Sequence, residues 1–202
     1  SSNSDNILGT DLVLVDAGCE VNGYASDITR TWPVSGMFSE AQREIYELVL
    51  RAELSAIEAC QVGSPWENMH RAASEVLARG LIDLGILQCS YEDAIGDNLD
   101  GDYRKFFMHG TGHMLGLDVH DVGGGRQGGK KGPILKSGMI VTIEPGLYFA
   151  SWRDDISVPE KYSGIGVRIE DDVLITEDGP VVLTEMCPKT IDEIESIVGS
   201  AL

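Results

Sequence analysis

Three observations predict an α+β domain. Short β-rich runs pair as hairpins at both ends of the chain, two amphipathic helical patterns lie between them, and glycine, proline and aspartate mark the turns. At 202 residues the chain suits one domain able to bury most of its apolar surface. No internal repeat or low-complexity tract interrupts that reading.

Residues 11 to 16, DLVLVD, are a short apolar run ending in an acid, and AGCEVNGYASDITRTW continues it through Gly18 and Gly23 with alternating residues. Two strands joined by a turn are expected. That hairpin would bring Asp16 and Asp27 to one point, although either alone is an ordinary turn residue. Ser39 and Gln42 form a capping box, and Ile45, Leu48, Val49, Ala52 and Ala56 follow at helical spacing, predicting a long helix to near Gly63. Ser64, Pro65 and Glu67 predict a second helix start, running through Val76, Leu77 and Leu81 to Gly85. His70 lies on that helix with no acid or second histidine at ligand spacing, so an exposed or locally bonded side chain is expected.

Residues 91 to 105, YEDAIGDNLDGDYRK, are acidic with little apolar periodicity and read as a surface loop; the donor order of a calcium loop is absent. Downstream, Gly124, Gly129 and Lys130 imitate a phosphate loop. Lys131 stands where Ser or Thr is required and Gly132-Pro133 where a helix should begin, so a flexible connection is expected. Ile140 to Ile143 reads as a buried strand stopped by Glu144-Pro145-Gly146. In GIGVRIEDDVLITEDGPVVLT, two β-rich runs flank the turn Glu177-Asp178-Gly179, and the first carries Arg168 and Glu170 within an apolar pattern. Thr190 and Glu193 cap a closing helix to Val198.

Composition narrows the function. A net charge of -18 argues against a phosphate-backbone partner, so no nucleic acid is expected. No run approaches a membrane span, and residues 1 to 10 are not signal-like, so no membrane partner is expected. Cys19, Cys60, Cys89 and Cys187 stand apart without a CxxC pair, which suits free thiols in a reducing cytoplasm. The opening SSNSDN lacks an initiator Met, so a fragment or processed product is expected.

The densest chemistry is HGTGHMLGLDVH, His109 to His120, which holds three of the four histidines. Imidazole is the commonest protein metal ligand and the usual acid or base near neutral pH. An acid ending a buried strand is costly unless paired, which draws Glu144 and Glu170 toward the same chemistry. Asp16, Asp27, Glu144, Glu170 and one central histidine would form a hard, oxygen-rich site suited to two divalent ions. Manganese is favoured, with zinc, cobalt and iron left open. Water between two such ions would be acidified to hydroxide, a nucleophile that needs no Ser or Cys.

The blocks DAGCEVNGYASDITRTW, HGTGHMLGLDVHDVG, TIEPGLY and GVRIEDD resemble, in order and spacing, those of the pita-bread metallopeptidases, in the aminopeptidase P and prolidase branch and nearest its bacterial aminopeptidase P members. The resemblance runs from about Leu12 to Leu183. It implies an α+β pita-bread fold, two pseudo-equivalent halves around a curved antiparallel sheet with helices packed outside. Asp16 would hold one metal, Asp27 and Glu170 would bridge both, and His113 and Glu144 would complete the other. His109 and His120 would orient substrate and stabilise the tetrahedral intermediate, Arg168 and Tyr148 would support the ligand shell and proline pocket, and Glu144 would shuttle a proton to the leaving nitrogen.

The implied substrates are peptides with proline in second position, hydrolysed at the Xaa-Pro bond. Proline's tertiary amide offers no N–H to a general peptidase, whereas a pocket shaped for the ring gains specificity. The family carries further elements before the first aspartate, including a pocket histidine, and usually a separate N-terminal domain. Residues 1 to 202 are therefore expected to be a catalytic domain truncated on its N-terminal side, from a protein that is a dimer or tetramer at full length. A dipeptide-specific prolidase, a methionine aminopeptidase and a non-catalytic binding module are the alternatives.

Overall fold

A computed structural model describes residues 6–123 and 132–198. The phosphate-loop pattern at Gly124, Gly129, Lys130 and Lys131 lies outside the described residues.

The first hairpin pairs Leu12–Ala17 (β1) antiparallel with Ile28–Pro33 (β4), Asp16 facing Thr29 in the register. Its connection is more than a turn. Glu20–Val21 (β2) and Tyr24–Ala25 (β3) form a second, smaller ribbon inside it. Gly18 is needed at the junction, because a Cβ there would lie 1.8 Å from the Ser26 carbonyl oxygen.

Glu40–Glu58 (α1) starts at the expected capping box: the Ser39 hydroxyl accepts from the Gln42 N–H, and Gln42 Oε1 accepts from the Ser39 N–H at 2.9 Å. Its apolar stripe, Ile45, Leu48, Val49, Ala52 and Ala56, is wholly buried. Each of the three larger side chains contributes roughly 1.5–3 kcal/mol by leaving water. α1 packs against Glu67–Asp83 (α2) and against the strands that carry the site.

The start expected for α2 is corrected. The helix begins at Glu67 after Trp66, which offers no side-chain cap, and Ser64 does not serve as the N-cap. Tertiary pairing claims that backbone instead: the Ser64 carbonyl accepts from Leu135, Trp66 N–H donates to the Pro133 carbonyl, and Glu67 Oε1 accepts from the Gly132 N–H at 2.7 Å.

The expected surface loop at 91 to 105 is also corrected. Tyr91–Ile95 (α3) forms a short helix capped by Ser90, and Asp102–Lys105 a 3-10 turn. Their acidic faces are wet, but Ala94 and Tyr103 are fully buried, with Phe106 and Phe107 following. Apolar residues this sparse show no periodicity, yet two or three suffice to dock so short an element.

Ile140–Ile143 (β5), Asp171–Thr176 (β8) and Gly179–Val182 (β9) form a three-stranded antiparallel sheet in the order β5-β8-β9. Gly146–Tyr148 (β6) pairs with Gly166–Arg168 (β7). The first run of the second hairpin is thus broken at Ile169-Glu170, and Glu170 is not inside a strand as the pattern suggested. At the break the Glu170 N–H leaves the ladder and donates to the Thr29 carbonyl of β4 at 3.0 Å, bringing the two hairpins together. Ile191–Val198 (α4) closes the chain behind the expected Thr190 and Glu193 box. No helix is long and apolar enough to cross a membrane among the described residues.

Candidate active site

The central histidine stretch is laid alongside β5 as a strand-like edge. Glu144 N–H donates to the Thr111 carbonyl at 2.8 Å, Thr142 N–H to His113, and Leu115 N–H to Ile140. Gly112 makes this possible, because a Cβ there would sit 1.8 Å from the Thr142 carbonyl oxygen. The Thr142 hydroxyl also accepts from the His113 N–H at 3.1 Å. His113 is therefore held beside the end of β5, where Glu144 emerges.

Three of the five proposed metal ligands meet closely. One ligand atom each from Asp27, His113 and Glu170 lies within 4.8 Å of the others. Glu144 Oε1 is 3.8 Å from His113 Nε2, and Asp27 Oδ2 is 3.6 Å from it. His113 Nδ1 lies 3.0 Å from the Met114 carbonyl, which can only accept, so Nδ1 carries the proton and Nε2 presents its lone pair to the carboxylates. Asp16 lies outside that trio. Its carboxylate accepts from Arg168 Nη2 at 2.5 Å, and it lines a cleft of about 610 Å³ with Asp27, Leu117 and His120. The ring of His120 meets His113 edge-on at 4.2 Å.

The electrostatics fit a cation. Burial pushes Glu170 up to about 8, opposed by the Thr29 hydroxyl and reinforced by the charges of Glu144, Asp27 and Asp16. Burial likewise pushes Glu144 up to about 7, Arg168 opposing and the two aspartates adding to it. Asp27 is raised by burial and then by Asp16. These carboxylates cannot all ionise together without a compensating cation, which is what a divalent ion supplies. The donor set of carboxylates plus one free imidazole nitrogen fits such ions.

A second chain of bonds borders the cleft. His109 Nδ1 lies 2.8 Å from the Gly110 carbonyl, so its Nε2 accepts the Tyr148 hydroxyl at 2.9 Å, and that hydroxyl oxygen accepts from Arg168 Nη1 at 3.1 Å. Burial lowers the His109 value, so the ring is neutral at physiological pH. Arg168 Nε donates to the Thr29 hydroxyl, and Thr29 in turn donates to Glu170 Oε2 at 2.5 Å. His109, Tyr148, Arg168, Asp16 and Glu170 thus belong to one network. The exposed or locally bonded state expected for His70 is corrected: the side chain is part-buried and bonds across the fold, its Nδ1 lying 2.8 Å from the Thr111 hydroxyl, a partner distant in sequence.

Sequence reasoning passed over several residues here. Thr29 and Arg30 hold Glu170, and Asp172 Oδ2 accepts the Asp27 N–H at 3.2 Å. The available signal was Glu170-Asp171-Asp172, three consecutive acids entering an apolar strand, which burial makes costly for each.

Over residues 1–177 the sequence matches the model of metallopeptidase family M24. The chain belongs to that family. Among curated relatives, the Xaa-Pro aminopeptidase of Haemophilus influenzae is 50% identical over 188 residues, 93% of this chain and 42% of the relative. That of Escherichia coli is 47% identical over 191 residues, 95% of this chain and 42% of the relative. The structure of Pseudomonas aeruginosa aminopeptidase PepP superposes with a TM-score of 0.90 at 46% identity, over 99% of this chain and 44% of that one. Zinc-substituted E. coli aminopeptidase P in complex with product gives 0.89 at 45%, over 100% and 44%. The chain has their pita-bread fold and spans less than half their length.

Proposed function

We propose that residues 1–202 act as the catalytic metallopeptidase domain of an Xaa-Pro aminopeptidase, releasing the residue that precedes proline at a peptide N-terminus. The observation that carries this reading is the convergence of Asp27, His113 and Glu170 ligand atoms within 4.8 Å, from three separated blocks. The curated relatives that share those blocks are Xaa-Pro aminopeptidases.

Asp16, Asp27, His113, Glu144 and Glu170 would hold two divalent ions, Asp27 and Glu170 shared between them. Four carboxylates to one imidazole favour manganese over zinc, cobalt or iron. Bound there, the ions would supply acidified water as nucleophile and polarise the scissile carbonyl. Neutral His109 holds the Tyr148 hydroxyl beside the ligands and the exposed His120 stands at the cleft; together they orient the peptide, and His120 donates to the oxygen that gains charge. Glu144, whose Oε2 lies 3.9 Å from His109 Nδ1, carries the proton to the proline nitrogen. Tyr148 and Arg168 form the wall against which the ring packs, Arg168 keeping Asp16 in place. We further propose that the full-length protein is a cytoplasmic homo-oligomer; four free thiols support the reducing compartment.

The test is product analysis with manganese, offering an Xaa-Pro dipeptide beside an Xaa-Pro-Yaa-Zaa tetrapeptide. Release of the first residue from the tetrapeptide is expected. Cleavage of the dipeptide alone would replace this reading with prolidase, and silence on both would replace it with a non-catalytic module.

A further inference from the structure

We propose that Arg30 is a positioning residue for the metal site, its guanidinium fixing the backbone from which Glu170 reaches the cleft and fastening the C-terminal segment to the same point. This rests on the reading of Glu170 as a metal ligand.

Arg30 is 6% exposed, and each of its five N–H donors has an acceptor. Nε donates to the Pro188 carbonyl at 3.0 Å; Nη1 donates to the Thr29 and Glu170 carbonyls at 3.0 and 2.6 Å; Nη2 donates to Asp171 Oδ1 at 2.7 Å and to the Cys187 carbonyl at 2.8 Å. Glu170 needs this. It sits in the gap between β7 and β8, 1% exposed, so its C=O has left the sheet ladder and would otherwise be buried without a donor. Its N–H goes to the Thr29 carbonyl and its side-chain Oε2 takes the Thr29 hydroxyl. Both backbone groups and the carboxylate are thereby fixed by two consecutive residues of β4.

A planar fork with five donors can hold four carbonyls and a carboxylate at once; an ammonium with three cannot. The prediction separates this role from mere stability. Arg30→Lys keeps the charge beside Asp171 but loses the fork, so manganese affinity should fall roughly 10–100-fold, the usual effect of removing a partner that orients a ligand. The carbonyls left without a donor should also lower the melting temperature of the metal-free protein, so affinities are compared where parent and variant are both fully folded. A second variant guards against misfolding: Arg30→Met with Asp171→Asn removes both charges of the pair, which folds tolerate far better than removing one. It should show the same loss of affinity.

Manganese binding is measured by calorimetry and by electron paramagnetic resonance on parent and variants, with metal-free unfolding alongside. Parent-like affinity in either folded variant would overturn the positioning role and leave the metal reading intact. Failure of the parent itself to bind manganese would overturn both.

Discussion

Glu170 and Asp171 are neighbours in sequence, both buried, yet their carboxylates belong to opposite kinds of acidic cluster. Glu170 faces Asp27, Glu144 and Asp16, with a hydroxyl as its hydrogen-bond donor, and burial pushes it up to about 8. Burial opposes the charge of Asp171 too. There the proton held by Glu53, then Arg30 and Lys189, outweigh it and hold Asp171 below the ordinary carboxylate range. Its oxygens accept from Arg30 at 2.7 Å, Thr184 at 2.6 Å and Lys189 at 2.5 Å, while Lys189 also reaches Glu53 at 2.7 Å. One cluster is neutralised by the protein's own cations; the other is left with surplus negative charge. The lesson is that two adjacent acids can serve structure and chemistry separately when each meets a different set of cations.

The sharpest way to break the comparison is at the open cluster. Glu170→Gln, or Asp27→Asn, should lower turnover by roughly 10²–10³-fold or more, as for loss of a central electrostatic group. The bound-metal count should fall with it, measured by metal analysis beside peptide cleavage. Full activity in either variant would end the two-metal reading.

Breaking the closed cluster should act on stability instead. Asp171→Ala strands Arg30 in the interior and takes one of the two carboxylates from Lys189, and should destabilise the fold by about 3–5 kcal/mol, read from urea unfolding of the metal-free protein. A loss below about 1 kcal/mol would mean that the cluster is not an electrostatic unit.

Protons should compete with metal at the open cluster. Glu144 at about 7 and Glu170 at about 8 hold protons that a cation must displace, so manganese binding should tighten with rising pH. A slope of about tenfold per pH unit is expected between pH 6 and 8 for each proton displaced, flattening above that range. A pH-independent dissociation constant there would contradict the shared burial of these acids.

The smallest effect belongs to Glu53, which burial and then Asp171 push up to about 8. A carboxyl raised above its ordinary value favours the folded state at low pH, and that contribution is lost as pH rises through about 8. Glu53→Gln should therefore fall within about 1 kcal/mol of the parent near pH 4 and gain on it as pH rises from about 4.5 to 8, checked by unfolding at both ends of that range. A constant difference across that range would show that Glu53 is ionised throughout.

Legibility in the sequence followed the range of the forces. The α1 capping box, the stripe from Ile45 to Ala56 and the Thr190 cap are local, and the structure reproduces them. The start of α2 and the buried turn at Tyr103 were misjudged because contacts distant in sequence, with residues 132 to 135 and with the core, overrode local propensity. Within the candidate site, Asp27, Glu144, Glu170 and one histidine of the central stretch were readable because acids beside apolar strands and histidines among glycines are anomalous wherever they fall; that the histidine is His113 came from the family resemblance. Thr29 and Arg30 were not readable, since a threonine and an arginine in a strand carry no such anomaly until their partners are known.

Sequence alone therefore determined the two long helices, the terminal hairpins, the acidic and histidine-bearing blocks and, through their resemblance, the family. The tertiary structure alone decided how Glu170 is turned to the cleft while Asp171 beside it is turned to Arg30 and Lys189. That choice depends on the break at Ile169-Glu170 and on Arg30, Thr29 and Lys189 arriving from elsewhere in the chain. Burial raises every carboxylate alike; only the cations and donors brought beside each one set it apart.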